Sequence, residues 1–516
     1  MKHFIFIVYV ILAIGNLAAQ PAYEDRKRDY NWVVGYPELG PNSSDYSNIQ
    51  MNFDEETLTL IDIGDVKGID YTFTAMSDTS GQLLFYTNGV WVFNRLHQNM
   101  LPADTTLSPG YWADQSIDIG YPIQQDAIAL PNPANKNQYY LIHQGFNQYV
   151  NYSGGYCGDI MYYTLIDMSL NNGLGGIVTF NQVLANGRFN PGNIQACRHA
   201  NGRDWWLFYM DCARLHYYSI LIDDKGFHAQ TPQQFTGRFL SAYGQSKFSP
   251  DGTRYAQYYS YAWMDGFLNL YNFDRCAGTL DRVFAQDSFP SEGIGTGLEF
   301  SPNSRYMYVS DRNYVYQYDT WMPNIEAARD TIAAYDGYLD QGFWGLDFNG
   351  ATLAPDGKIY IANATSTHFM HVINHPDSSG VGCGLVQRQL ELPVWYYRTS
   401  PNFPNFRLGA LSGSACDTLD FNVAVTPAPS RDNVAGITAL VYPNPSASNL
   451  TIAYALPEQG EVTVVNALGQ VMYEKVLAKG DDKLWLNVED WANGVYFVRL
   501  STPNSGVYSK KVFVLH

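Results

Sequence analysis

Hydrophobic and polar residues alternate along most of this chain in short runs, and turn residues, not helix caps, end each run. A period of two over four to eight residues marks a half-buried strand. Asp29 to Gly35, Met51 to Phe53 and Thr57 to Ile63 open the series. Thr74-Ala75-Met76, Leu83 to Thr87 and Trp91 to Asn94 follow, and Asn88-Gly89 between the last two is a strong hairpin signal. The pattern then settles into units of four strands. Ala127 to Leu130, Tyr139 to His143, Met161 to Ile166 and Ile177 to Val183 form one. Ile194 to His199, Trp205 to Met210, His216 to Ile222 and His228 to Phe235 form the next. Three more begin at Gln245, Gly297 and Gly350. Helix signal is almost absent; Asn324 to Asp330 suits a single turn.

One phrase punctuates these units. Lys247-Phe248-Ser249-Pro250-Asp251-Gly252 returns as Glu299-Phe300-Ser301-Pro302-Asn303-Ser304 and as Thr352-Leu353-Ala354-Pro355-Asp356-Gly357. Arg198-His199-Ala200-Asn201-Gly202 is a looser copy. Pro fixes φ, Asp or Asn bonds its own backbone and Gly tolerates positive φ, so each copy is a tight turn. The copies lie about 50 residues apart, which is the period of a β-propeller blade. Six units are visible, counting the one that begins at Thr74. Pro404 to Leu408 is expected to complete a further blade with the strands near Trp32 and Met51, closing the ring without free edges. The expectation is an all-β chain with a propeller of seven blades, six being the alternative, over residues 20–416.

Residues 417–440 carry Thr426-Pro427-Ala428-Pro429-Ser430, a linker composition. Beyond them, runs such as Leu450 to Tyr454, Val462 to Val465 and Val495 to Leu500 predict a small Ig-like β-sandwich over 441–516. At the other end, Lys2 and His3 precede an apolar run from Phe4 to Ile14 and then Asn16-Leu17-Ala18-Ala19-Gln20. That order predicts a secretory signal peptide over 1–19. A membrane anchor is the alternative, but the run is short for a span, and no other stretch is long enough, so no transmembrane segment is expected in the mature chain.

The tail carries more than a fold. Tyr442-Pro443-Asn444-Pro445, Asn466-Ala467-Leu468-Gly469-Gln470, Asn493-Gly494-Val495-Tyr496-Phe497-Val498 and Lys510-Lys511-Val512 resemble the C-terminal sorting domain, type A, of the type IX secretion system. The resemblance implies a secreted or cell-surface protein, with the secretion machinery as partner of 441–516. The larger region resembles secreted WD-like propellers through its Ser-Pro-Asp-Gly turns and Gly81 to Gly89. That resemblance implies a fold and no activity.

Lys+Arg 31 against Asp+Glu 49 gives a net charge of −18, which argues against nucleic acid as a partner. No GxSxG elbow, HExxH helix, Walker loop or EF-hand spacing occurs, so no catalytic residue, cofactor or metal is assigned. His368, His371 and His375 on one strand cannot converge on a metal, and Cys197 with His199 project side by side. Asp251 and Asp356 are explained by their turns. Of the six cysteines, Cys157 and Cys212 fall in second-to-third-strand loops of adjacent units, on one face, and are expected to form a disulfide.

The second-to-third-strand loops also hold Tyr152 and Tyr156, Asp211 and Arg214, Trp263 and Asp265, and Asp311 and Arg312. Aromatic rings beside carboxylates and guanidinium groups suit a sugar ring or a peptide. The expected role is binding of an extracellular glycan or protein through this loop face. A propeller hydrolase or lyase and a structural component of an extracellular matrix are the alternatives. The Ser-Pro-Asp-Gly turns, on the opposite face, read as scaffold.

Overall fold

The computed structural model describes residues 25–36, 46–53, 57–146, 151–152, 155–212, 216–234, 243–260, 266–289, 297–342, 344–411, 414–417, 437–442, 446, 448–466, 470–503 and 506–514. The expected signal peptide, 1–19, and nearly all of the expected linker lie outside them. The longest helix among the described residues has 5 residues, Tyr111–Gln115. The chain is all-β.

Among the described residues, seven antiparallel sheets of three or more strands precede residue 398, together with two two-stranded ribbons. The first is Asn31–Gly35, Asn48–Phe53 and Leu58–Gly64; the second is Thr74–Ser77, Leu83–Thr87 and Val92–Asn94. The third joins Ala127–Pro131, Gln138–Gly145, Gly158–Asp167 and Gly176–Phe189. The fourth runs from Gln195–Arg198 to Gln233–Gln234, the fifth from Tyr243–Phe248 to Thr279–Phe289. The sixth runs from Gly297–Phe300 to Arg329–Ala334, the seventh from Ala351–Leu353 to Leu385–Tyr397. Within each sheet the strands pair in chain order, as meanders do, except that Gln233–Gln234 of the fourth pairs back onto His216–Asp223 beside Gly226–Ala229.

The sheets are strung in a ring by shared apolar cores. Ile128, Leu141, Trp205 and Leu207 join the third and fourth sheets, together with Phe85 of the second. Phe208, Tyr255 and Phe273 join the fourth and fifth, Leu268, Leu298 and Val309 the fifth and sixth, and Tyr308, Ile359 and Ile361 the sixth and seventh. Trp32, Met51, Phe73, Tyr360 and Met370 then join the seventh to the first and second. Trp32 is 1% exposed and donates its indole N–H to Asp29 O at 3.1 Å, which satisfies the one polar atom such burial would strand. Burying a ring of this size contributes about 2–3 kcal/mol. The arrangement is propeller-like.

The segment after Tyr397 departs from expectation. Pro404 to Leu408 was to pair as a strand beside Trp32 and Met51; it forms no strand. Instead 398–411 passes between the inner strands of the ring. Asn402 accounts for its course: its Nδ2 donates to Ala127 O and Ile194 O at 2.9 Å each, its Oδ1 accepts from Gln195 and Gln125, and its N–H donates to Phe73 O. Ser400 takes a bond from Gln245 Nε2 at 2.8 Å. Side chains on several inner strands thus replace the ladder a paired strand would have made. Prolines at 401 and 404 lack the N–H that such a ladder needs.

Disulfides join Cys157 to Cys212 and Cys276 to Cys416, while Cys197 and Cys383 are free and buried. The second bridge holds the end of this axial segment to the turn between the last two strands of the fifth sheet.

Residues 437–514 form two further sheets, one of three strands and one of four. Ile452, Leu486, Val464, Val498 and Val512 come from both and share one core.

A candidate axial pocket on the turn face

Each short turn between first and second strands leaves the ring on the same side, where the axial segment also emerges. There the two enclose a cavity of about 290 Å³. Its rim is made of Pro250, Pro302 and Pro355, the prolines of the repeated phrase, and its far wall of Phe403, Pro404 and Asn405.

Two ion pairs line it. Lys247 Nζ lies 2.9 Å from Glu299 Oε2, and both side chains are 6% exposed. Glu299 also accepts from Phe300 N at 2.9 Å and Leu353 N at 3.0 Å, so its carboxylate is fully engaged. Arg407 meets Asp29 in a bidentate fork at 2.7 and 3.0 Å. Asn405 Nδ2 donates to Pro250 O at 2.6 Å, tying the axial segment to the rim. Charges cancel within each pair. The arrangement offers rigid apolar walls with prealigned polar groups, and it suits a small ligand without net charge.

The turns read as scaffold therefore also build the site. Lys247 and Glu299 hold the same place in successive repeats, and blade neighbours carrying opposite charge at one repeat position were a signal available in the sequence. Asp29, Asn405 and Arg407 had no such signal, because their partners lie 378 residues away for Asp29 and Arg407 and 155 for Asn405.

Of the residues expected on the loop face, the described carboxylates bond within their own loops. Asp211 is buried and accepts from Tyr218 OH at 3.2 Å. Asp311, also buried, accepts from Tyr314 N at 2.9 Å. Arg312 has left-handed φ of 48° and donates to Asp347 Oδ2 at 2.5 Å. These carboxylates organise their own loops. Tyr152 and Tyr156 lie in a two-stranded ribbon whose register pairs Gly155 with Tyr152 and Tyr156 with Asn151. Their side chains, and Arg214, Trp263 and Asp265 altogether, lie outside the described residues. Cys197 is buried, and burial pushes its thiol up to about 12.

Residues 440–515 match the family model for the secretion system C-terminal sorting domain. The tail is a type IX sorting domain. The chain is accordingly delivered by the type IX machinery to the medium or the cell surface, and disulfides suit that destination. No curated protein matches the chain. Among solved structures, a protein from Lactobacillus plantarum is similar at 11% identity and TM-score 0.36, covering 88% of this chain and 98% of that one. A periplasmic gluconolactonase from Pseudomonas aeruginosa is similar at 12% identity and TM-score 0.34, covering 89% and 99%. A structure described as a 6-phosphogluconolactonase from Bacteroides uniformis is similar at 16% identity and TM-score 0.32, covering 56% and 78%.

Proposed function

We propose that residues 20–416 form a seven-bladed propeller that acts outside the cell as a binding module, joined by the linker 417–440 to an Ig-like sorting sandwich at 441–516. Its ligand is the neutral end of an extracellular glycan, one or two sugar rings long, held in the axial pocket. The supporting observation is the wall of that pocket, where Lys247–Glu299 and Asp29–Arg407 are already paired beside proline and phenylalanine rings. Sugars present hydroxyl groups to such fixed polar pairs and C–H faces to such rings.

A glycan array and calorimetry with residues 20–516 test this. The axial site predicts that Asn405→Ala and Lys247→Met each weaken retention at least tenfold while Trp263→Ala leaves it unchanged. Loss with Trp263→Ala alone moves the site to the loop face. Release of a cleaved product makes the protein a propeller hydrolase or lyase. Failure to retain any neutral glycan overturns the reading.

A further inference from the structure

At the opposite end of the axis, where the third and fourth sheets meet, several buried polar side chains have no partner. Asp126 is 1% exposed, and neither carboxylate oxygen has a hydrogen bond. Asn190 is fully buried with both amide atoms unpaired; Asn193 Oδ1 and the Tyr121 hydroxyl are unpaired as well. Leaving such a group unmatched in the interior is costly, and a carboxylate more so. Native interiors pair nearly all of them, so a group of orphans calls for a ligand.

The backbone brings these residues together. Asp126 O accepts from Gln144 N at 3.2 Å, and Gln144 Nε2 donates to Asn190 O at 2.9 Å. Gly192 is pressed so closely on this turn that an added Cβ would lie 1.8 Å from Gln124 O. Gln125 and Asn193 both hold left-handed φ, 54° and 58°, a conformation that costs energy unless its surroundings repay it. Burial raises the Asp126 carboxyl well above its usual range, and the facing Gly192 and Gln144 amides oppose this, although within hydrogen-bond range they donate to Gln144 Oε1 at 3.3 Å and to the Asp126 carbonyl. Among the described residues no ion pair reaches Asp126.

We infer that Asp126, Asn190 and Asn193 hold a calcium ion that clamps the third sheet to the fourth. The donors are one carboxylate and two amide oxygens, hard ligands with no nitrogen or sulfur among them, which select calcium over zinc or copper. Asn190 Nδ2 and the Tyr121 hydroxyl then bond waters that complete the shell. A single carboxylate makes the site weak, with affinity on the order of 0.1–1 mM as in extracellular modules. The competing account is that burial keeps Asp126 protonated and waters alone fill the site.

The test uses residues 20–516 stripped with EDTA, dialysed, and melted with and without 5 mM calcium chloride. Calcium should raise the melting temperature by several degrees, with magnesium giving a smaller shift. Asp126→Asn, which matches the protonated acid in shape and charge, should abolish the shift, and Asn190→Ala should reduce it. Terbium, excited through tyrosine, should luminesce in the wild type and lose that signal in Asp126→Asn. If Asp126→Asn does not fold, terbium titration of Asn190→Ala decides by the same criterion. A wild type that melts identically with and without calcium, or a variant that keeps the full shift, overturns the site.

Discussion

Arg407 grips both carboxylate oxygens of Asp29, two residues that lie 378 apart in sequence. Asp29 opens the first sheet, and Arg407 closes the axial segment, so this fork joins the beginning of the ring to its end. Arg407→Ala should lower stability by about 1–3 kcal/mol, since it leaves the buried Asp29 carboxylate without its charged partner. Denaturant titration measures this. A change below a few tenths of a kcal/mol would mean that Asn402 and Ser400 hold the segment without help.

Gly252 and Gly357 occupy the same place in two repeats, with φ of 70° and 78°. A Cβ on Gly252 would meet Leu408 Cδ2 at 2.6 Å and Arg275 Cδ at 2.8 Å; one on Gly357 meets nothing within 4 Å. Gly357→Ala should therefore cost only the backbone strain, about 1 kcal/mol, and Gly252→Ala clearly more. Equal costs in thermal melts would show that the axial segment yields to the added methyl.

Asp70 sits 3.5 Å from Arg398 at the loop-face end of the axis, and burial still raises its carboxyl to about 7. The folded state therefore binds a proton that the unfolded chain releases near 3.9. Its contribution to stability is full below about 4 and is lost as pH rises to about 7. Buried His143 and His371, both depressed to about 3, act in the opposite direction. The comparison of Asp70→Asn with wild type isolates the acid. The variant should gain stability relative to wild type between pH 4 and 7, by a few kcal/mol, in denaturant titrations at several pH values. A constant difference across that range would contradict the assignment.

Deleting Tyr442 to His516 removes strands that build their own core with Val464 and Val512. The truncated chain should melt as the propeller-like region does in the full protein and accumulate in the periplasm. Normal yield in the medium would show that export does not depend on the sorting domain.

The sequence by itself determined the strands, the repeat and the sorting domain, because these rest on local chemistry. Alternation marks a strand face, Pro-Asp-Gly fixes a turn, and the tail motifs are contiguous. The repeated phrase puts Lys247 and Glu299 at one position of successive repeats, but only the structure shows that the inner strands bring them together. Only the tertiary structure decided the course of 398–411. Asn402 finds its partners at Gln125, Ala127, Ile194 and Gln195, and none of those contacts leaves a periodic trace. The same holds for the orphaned Asp126, whose neighbours Asn190 and Asn193 lie in the link between the third and fourth sheets. A pocket lined by a segment that pairs with no strand lies beyond periodicity, because long-range hydrogen bonds to backbone carbonyls ask nothing of the sequence near the acceptor.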